Sequence, residues 1–416
     1  MNSIKINENN VREFHIWNLP FFVRVSFNEN VRNELFKEIF KSIGTLKELT
    51  KLIKKETNQK IDHETIRDYK NGKYFIPLWF LNNIMELFFD KEFYAQLEKE
   101  IIAFRGPRGD SINNPKFPWI EDERIIRIIF RLIGDGHGGG DVSKGRVPVY
   151  TNSCSELVEQ FVDDLNFFGQ VKVRKYRKNN IKRNTDVEFP KVLGHIAKHL
   201  YNMDFRGKHA RLSNEIFSLP ENLVIEGIKV FGDDEGSMKG TQIHFYSANK
   251  GLLQDFITLF NIKFSDFKSI TNVRINVIKK DKNSNIIITY YIAIRANDLD
   301  KYCQLIGFYH PLKQQKLIHQ LNCRDKIKNN RWNYKTKEMI LKSLFNNSKT
   351  SYQISEDVLV NHRTVNKHIN GYSNREKNFK GLKELGLVKP IYSQEGILWE
   401  ITEKGKTYKF CLNSLK

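Results

Sequence analysis

The sequence predicts an α+β protein with a duplicated αββαββα core and a smaller module on either side. Helical spacing of apolar residues prevails in residues 1–110, whereas helices and alternating strands are interleaved in residues 119–322. The order of elements within 119–322 occurs twice. Residues 336–416 turn from helices to short strands.

Two polar stretches mark the predicted domain boundaries. Arg105–Pro118 is rich in Gly, Pro and Asn, and Cys323–Lys335 is basic and polar. The predicted domains are therefore 1–110, 119–322 (with repeats at 119–215 and 216–322) and 336–416.

The composition favours a polyanionic partner. The 416 residues include 68 Lys and Arg against 48 Asp and Glu, a formal charge of +20. An AT-rich genome would also enrich Lys, Asn and Ile, so charge alone does not decide. No apolar run reaches the roughly 18–20 residues of a membrane span, and the start lacks a signal peptide, so we expect a cytoplasmic protein without a membrane partner. Four scattered cysteines argue against a zinc ribbon or a disulfide scaffold.

The first block contains a segment, Leu46–Lys70, that resembles a helix-turn-helix. Its first helix is amphipathic, and Asp62 is placed to cap the second. Arg67 on the outward face of that second helix is a predicted DNA contact, since recognition helices enter the major groove. A plain helical hairpin is the alternative.

The central block predicts the same series of elements in each half. The first half predicts helix 123–134, strand 146–151, helix 155–168, strands 170–176 and 185–189, and helix 191–201. The second half predicts helix 223–231, strand 242–247, helix 250–260, strands 271–279 and 286–295, and helix 299–306. Two units of about 100 residues fit this series.

Each half opens with an apolar helix that ends in an acid followed by glycine. The first reads IIFRLIGDG and ends at Asp135-Gly136, and the second reads IKVFGDDEG and ends at Glu235-Gly236. A carboxylate at a helix C-terminus opposes the macrodipole, at a cost of about 0.3–1 kcal/mol. Gly136 and Gly236 are the expected caps.

Two such carboxylates on packed helices would repel each other unless a cation lies between or beside them. Oxygen ligands suit Mg²⁺, or Mn²⁺ in its place. A solvated acid would explain one motif, but two motifs 100 positions apart favour a metal site.

These motifs resemble the LAGLIDADG (dodecapeptide) homing endonucleases of the single-chain, two-motif type. Three further segments resemble the same family in the right order: Val149–Leu157, Asp204–Lys208 and Ile306–Lys313. The resemblance covers about 200 residues.

The resemblance implies a monomer with a pseudo-twofold core and two saddle-shaped antiparallel sheets over the major groove of double-stranded DNA. Asp135 and Glu235 would hold divalent metals at the scissile phosphates, with Gly134 and Asp234 added to the metal set. Lys208 and Lys313 would assist catalysis through water, although ordinary surface lysines are as good an interpretation. The family is associated with introns and inteins.

One departure concerns the third motif position, where the family prefers Gly or Ala. This chain has Phe130 and Val230 there. Gly134 and Gly227, one turn away, would let the helices cross at a shifted point.

The predicted strands carry basic and amide side chains suited to phosphate contacts and base readout. Lys172, Arg174 and Tyr176 share one strand face, and Arg177 follows in the same basic run. Arg274 and Asn276 are predicted together on the second-repeat hairpin, opposite Val273, Ile275 and Val277, and Arg295 closes that hairpin. A solvated sheet face is the alternative.

The last block resembles a winged helix. Its first helix is predicted at Thr336–Phe345, its recognition helix at His362–His368 and its wing at Tyr392–Ile401. Arg363 and Lys367 are the predicted DNA contacts, although winged helices also bind proteins.

Three functions are compatible with the sequence. A metal-dependent, site-specific DNA endonuclease is favoured because both acids are retained. A non-cleaving DNA-binding transcriptional regulator is favoured by the two added modules and the bulky third positions. An intron maturase would bind RNA through the same sheets.

Overall fold

The computed structural model describes residues 5–6, 11–57, 59–137, 147–176, 184–280, 286–329, 336–374, 377–393 and 396–408. Helices and small antiparallel sheets make up these ranges, which confirms the α+β class. The chain divides into two compact units. Unit one holds Met1–Ser237, His244–Ala293 and Phe308–His310, and unit two holds Met238–Ile243, Ile294–Gly307 and Pro311–Lys416.

The first part of unit one mixes helices with two sheets. Its strands are β1 (Lys5–Ile6), β2 (Arg12–Phe14), β3 (Arg24–Phe27), β4 (Ile76–Pro77), β5 (Ile101–Arg105), β6 (Ile112–Asn113) and β7 (Trp119–Ile120). Its helices are α1 (Glu29–Ile43), α2 (Leu46–Thr57), α3 (His63–Lys70), α4 (Leu78–Phe88) and α5 (Lys91–Lys99). The sheet orders are β4-β3-β5-β6 and β1-β2-β7. Our sequence prediction of a helical block missed both sheets, because strands of two to five residues are too short to show a countable alternation.

The first half of the central block continues unit one. Its helices are α6 (Glu123–Ile133), α7 (Ser155–Leu165), α8 (Lys191–Leu200) and the short α9 (Asn214–Phe217). Its strands, β8 (Gly136–His137), β9 (Val149–Asn152), β10 (Arg174–Tyr176) and β11 (Thr185–Glu188), form an antiparallel sheet in the order β10-β11-β9-β8. The described elements follow the predicted series.

The second half shows the same series. Its helices are α10 (Glu221–Glu235), α11 (Lys250–Lys263) and α12 (Leu299–Leu305). Its strands are β12 (Gly236–Lys239), β13 (Gln242–Ser247), β14 (Arg274–Lys280) and β15 (Ile286–Ile294). β14 and β15 pair antiparallel, with a bulge between Ile275 and Val277.

Helices α6 and α10 pack directly against each other. α6 is buried along nearly its whole length, which its apolar sequence dictates. A Cβ on Gly227 of α10 would lie 2.4 Å from the ring of Phe130 on α6. The bulky third motif position is therefore accommodated by a glycine on the opposite helix.

Unit two contains the C-terminal elements. Its helices include α13 (Pro311–Asn329), α14 (Thr336–Ser343), α15 (Ser351–Val358), α16 (His362–Asn370) and α17 (Glu403–Lys406). Its strands include β16 (Lys349–Thr350), β17 (Tyr372–Asn374), β18 (Lys377–Phe379), β19 (Val388–Ser393) and β20 (Gly396–Ile401). The three-stranded sheet β16-β20-β19 shares one apolar core with α14, α15 and α16. Across the described ranges, no helix has the length and hydrophobicity needed to span a bilayer.

Candidate active site

The two motif acids lie at the C-terminal ends of the packed helices α6 and α10. α6 ends at Ile133 with Gly134 as its C-cap, so the exposed Asp135 follows the helix. α10 continues to the half-buried Glu235, and Gly236 is its C-cap. Gly236 is therefore the cap that we predicted, whereas the prediction for Gly136 is wrong because Gly134 caps the first helix two residues earlier.

Both motif glycines are required by packing. A Cβ on Gly136 would lie 2.5 Å from the carbonyl oxygen of Arg131, and one on Gly236 would lie 2.3 Å from that of Gly232. Gly236 has a φ of −86°, so it has no need of the left-handed conformation usual at helix ends. The chain turns back so tightly after each helix that a larger residue would collide with backbone.

The ends of the two helices also approach each other closely. A Cβ on Gly134 would lie 3.0 Å from Cβ and Oδ2 of Asp234. The small residue at this place in the first motif therefore makes room for the acid of the second motif.

Asp234 belongs to a buried polar network supplied by the first half. Its Oδ1 accepts hydrogen bonds from the Tyr150 hydroxyl (2.9 Å) and from Asn152 Nδ2 (3.2 Å), and it forms an ion pair with Arg131 Nη1 (3.4 Å). The side chains of Arg131 and Asp234 are fully inaccessible to solvent. Arg131 also donates to the Tyr150 hydroxyl and to Gln160 Oε1 (2.6 Å). An unpaired charge buried at this depth would cost several kcal/mol, so the pairing is a condition for the fold.

Asn152 connects this network to the first motif acid. Its Nδ2 lies 3.3 Å from Asp135 Oδ2 as well as 3.2 Å from Asp234 Oδ1. Its Oδ1 is held in turn by the backbone N–H of Cys154 (2.9 Å). The amide therefore places a donor between two carboxylates and fixes the orientation of Asp135.

The protonation states within the network follow from burial. Burial raises the pKa of the Tyr150 hydroxyl far above its ordinary value, and the charge of Asp234 raises it further. Burial alone would lower the pKa of Arg131, but its interactions with Tyr150 and Asp234 raise it above the ordinary value. At neutral pH Tyr150 is therefore a hydrogen-bond donor and Arg131 is a cation.

The second half has an apolar cluster at the corresponding place. Phe231, which matches Arg131 in the motif, stacks on Phe256 with ring centroids 4.0 Å apart and lies 6.1 Å from Phe245. Ser247 Oγ accepts the backbone N–H of Asn249, as Asn152 Oδ1 accepts that of Cys154. The two motif acids therefore differ in their surroundings. The sequence signal for this asymmetry is Arg131 itself, a charged residue at the motif position that Phe231 occupies in the second half.

Asp233 has a different neighbour from Asp234. Its two carboxylate oxygens accept the backbone N–H groups of Tyr309 (3.3 Å) and His310 (2.9 Å). Asp233 thereby ties the end of α10 to the backbone of Tyr309 and His310.

An ionic cluster lies further back along the same helix pair. Arg127 on α6 contacts Asp164 on α7 (2.6 Å) and Glu226 on α10 (3.1 Å). Glu226 also accepts from Lys229 Nζ (3.0 Å) and from the Tyr309 hydroxyl. Burial opposes ionisation of Glu226, but these hydrogen bonds and charges lower its pKa below 4.5.

The two predicted catalytic lysines lie at different places in the chain. Lys208 is the middle residue of the 3-10 helix Gly207–His209, and Lys313 lies in the first turn of α13, which belongs to unit two. Their catalytic roles stay predictions.

The basic residues of the first sheet are accessible. Lys172 and Arg174 are exposed, and Tyr176 follows Arg174 on the same face of β10. The Tyr176 hydroxyl donates to Glu188 Oε1 (2.8 Å), which raises its pKa to about 12. Arg177 lies outside the described residues.

The bulge changes the predicted face of the second hairpin. Arg274 pairs with Tyr291 and Val277 pairs with Thr289, so Arg274 and Val277 lie on the same face of the hairpin. Period-two alternation had assigned them to opposite faces. Asn276 is the extra residue, and its Nδ2 reaches Thr289 Oγ1 (3.3 Å). Arg274 and Asn276 are both exposed, and Arg295, also exposed, follows the end of β15.

The predicted recognition helices present their basic residues to solvent. Asp62 caps α3 by accepting the N–H of Thr65 at 2.7 Å, as we predicted, and Arg67 is exposed on that helix. On α16 Arg363 and Lys367 are exposed, while Val365 and Ile369 enter the core.

The donor set at the motif acids suits a divalent cation that shares its coordination with a substrate. Among the described residues no group of three or more His, Cys, Asp or Glu side chains forms a closed metal site. Mg²⁺ is commonly held by one or two carboxylates together with substrate phosphates and water. The accessible carboxylate of Asp135 and the half-buried one of Glu235 fit that pattern.

No family model matches the chain, and no curated protein does. A solved structure of I-DmoI in complex with DNA and Mn resembles part of it, with 16% identity and a TM-score of 0.31, covering 44% of this chain and 96% of that chain. A variant of I-DmoI in complex with its target DNA has 17% identity and a TM-score of 0.28, covering 44% and 98%.

Proposed function

We propose that this protein is a site-specific, double-stranded DNA endonuclease of the LAGLIDADG homing type that hydrolyses phosphodiester bonds with Mg²⁺ or Mn²⁺. The observation that carries the proposal is the pair of acids, Asp135 and Glu235, at matching ends of two helices that pack against each other. Two sets of strands bearing exposed basic residues accompany these helices, as duplex binding requires.

In this proposal the carboxylates of Asp135 and Glu235 hold one cation each at the two scissile phosphates. When bound, such a cation polarises the phosphate and lowers the pKa of water. Asn152 holds the Asp135 carboxylate in one orientation, and Arg131 balances the charge of Asp234 beside it. Gly134 and Asp234 stay predicted members of the metal set, and Lys208 and Lys313 stay predicted assistants in proton transfer.

The deciding experiment is cleavage of a randomised or genomic-fragment DNA library with Mg²⁺ or Mn²⁺. We expect discrete cuts that are lost in Asp135→Asn and in Glu235→Gln. Both substitutions preserve side-chain size, so DNA affinity should be unchanged or improved. Cuts that persist in both variants would contradict the assignment, and a large loss of affinity would make the acids structural.

The second candidate function is a DNA-binding transcriptional regulator on the same fold. The observation that favours it is the exposure of Arg67 on α3 and of Arg363 and Lys367 on α16, two helices placed outside the motif pair. Sequence-selective binding of library fragments without cleavage under either metal would select this function.

A further inference from the structure

A cavity of about 240 Å³ lies between the β5–β6 loop and the first-half sheet. Its charged lining residues are Arg108, Asp110, Lys172, Arg174, Glu188 and Lys191. Arg108 comes from the segment that the sequence predicts as a linker, outside the duplicated core.

The loop that carries Arg108 is fixed at several points. β5 and β6 pair on either side of it, with Ala103 opposite Asn113. Asn113 then exchanges two backbone hydrogen bonds with Gln170, at 2.7 and 3.3 Å, two residues before Lys172. A Cβ on Gly106 would lie 3.5 Å from Val192 Cβ, at the start of α8. Arg108 is thus held beside the first-half strands by backbone pairing.

The charge balance of the cavity favours an anion. Four basic side chains face two acids, and one of these acids, Glu188, already accepts the Tyr176 hydroxyl. Lys191 is the first residue of the ten-residue α8, so the positive end of that helix dipole adds to the same potential. The sum is a net positive recess.

The volume of the cavity limits the size of the ligand that it can hold. Cavities that enclose whole small molecules measure about 300–1,000 Å³, so about 240 Å³ suits a phosphate group better than a complete nucleotide. The recess shares Lys172 and Arg174 with the exposed basic face of β10. A phosphate placed there would be continuous with a strand of DNA lying along that face.

We propose that this cavity binds one backbone phosphate of duplex DNA and that Arg108 and Lys172 grip that phosphate together. The inference rests on the proposed DNA-binding function and adds a contact from outside the core. Because the contact is to phosphate, it contributes affinity and register without reading sequence.

The test compares full-length wild type, Arg108→Gln, Lys172→Gln and the double variant on a cognate and a random duplex at several salt concentrations. We expect each single variant to bind more weakly, and the factor of weakening to be the same for the cognate and the random duplex. The double variant should lower the slope of log K against log salt by about 0.9, the value for one phosphate. Lys99→Gln, which removes an exposed charge at the end of α5, is the control and should change nothing.

Three results would overturn the proposal. If Arg108→Gln binds both duplexes as tightly as wild type, Arg108 does not contact the phosphate. If the losses of binding free energy are additive and the slope of log K against log salt changes by about two, the two side chains contact separate phosphates. If inorganic phosphate stabilises wild type but not Arg108→Gln, and this variant binds DNA like wild type, the cavity is a site for free phosphate and not for DNA. If the wild-type protein binds no duplex at all, the proposed function itself fails.

Discussion

At the residue scale, Asn152 is the side chain that distinguishes the two motif acids. It donates towards Asp135 and Asp234 from a single amide nitrogen, and the second half has Ser247 in its place. Residues that orient a metal ligand typically contribute about 10- to 100-fold to activity. We therefore predict that Asn152→Ala slows cleavage of one DNA strand by about that factor. Nicked circles should then accumulate from a supercoiled plasmid that carries the target.

Ser247→Ala is the matched control for this prediction. It removes the same kind of hydrogen bond, from a backbone N–H two residues on. It leaves the contact between Asn152 and Asp135 in place. It should linearise the plasmid without a nicked intermediate. Equal slowing of both strands in Asn152→Ala would contradict the positioning role.

The positions of the two acids at the helix ends were predictable from the sequence, whereas the side chains that surround them were not. Asp135 and Glu235 are recognisable because their motifs repeat. The partnership of Arg131, Tyr150 and Asn152 with Asp234 joins residues 82 to 103 positions apart. Only the packing of α6 on α10 brings them together, and no local pattern encodes that contact.

At the element scale, the helix pair depends on the fit of Phe130 over Gly227. Ala is favoured over Gly in a helix by about 1 kcal/mol, so propensity alone would make Gly227→Ala stabilising. The added Cβ would instead lie 2.4 Å from the buried Phe130 ring, and overpacking costs about 1–3 kcal/mol. We expect Gly227→Ala to lower the thermal midpoint and Phe130→Leu/Gly227→Ala to recover part of the loss. A rise in the midpoint of the single variant would show that the helices can separate freely.

The ionic cluster at Glu226 makes the helix pair sensitive to acid. Hydrogen bonds to a charged group contribute about 1.5–3 kcal/mol, so Glu226→Gln should lower the free energy of unfolding by about that much at pH 7. Folding lowers the pKa of Glu226 below 4.5, so this contribution is complete above pH 4.5 and is lost as pH falls through the folded-state pKa.

The difference between wild type and Glu226→Gln in urea titrations from pH 7 to pH 3 isolates this term from the other carboxylates. We expect that difference to shrink below pH 4.5. Glu159→Gln, which breaks the exposed pair with Lys175, should cost less than about 1 kcal/mol. A difference that is constant with pH would remove Glu226 as the acid-sensitive group.

The elements of the central block were predictable because long apolar periodicities determine them. The predicted helix 123–134 and strand 242–247 correspond to α6 and β13 within a residue. The bulge at Asn276 was not predictable, since it arises from the register with β15. The sheet of β3 to β6 was not predicted because its strands are too short to show an alternating pattern.

At the scale of the whole molecule, the charge of +20 is shared between the core and the outer helices, and the two contributions are separable by experiment. General attraction depends on the number of charges, whereas base readout depends on which residues carry them. Arg363 and Lys367 lie exposed on α16, the helix that the sequence predicts as a recognition helix. We expect Arg363→Gln/Lys367→Gln to shorten the protected DNA footprint and to reduce the ratio of specific to random binding.

The cut position should stay the same, because the motif acids are unchanged. The control variant Lys383→Gln/Lys404→Gln removes the same charge from exposed sites of the same unit. If α16 reads bases, this control should weaken specific and random binding equally and leave the footprint intact. Identical behaviour of the two double variants would mean that α16 supplies only charge. An unchanged footprint and affinity in the Arg363 and Lys367 variant would instead assign that helix to a protein partner.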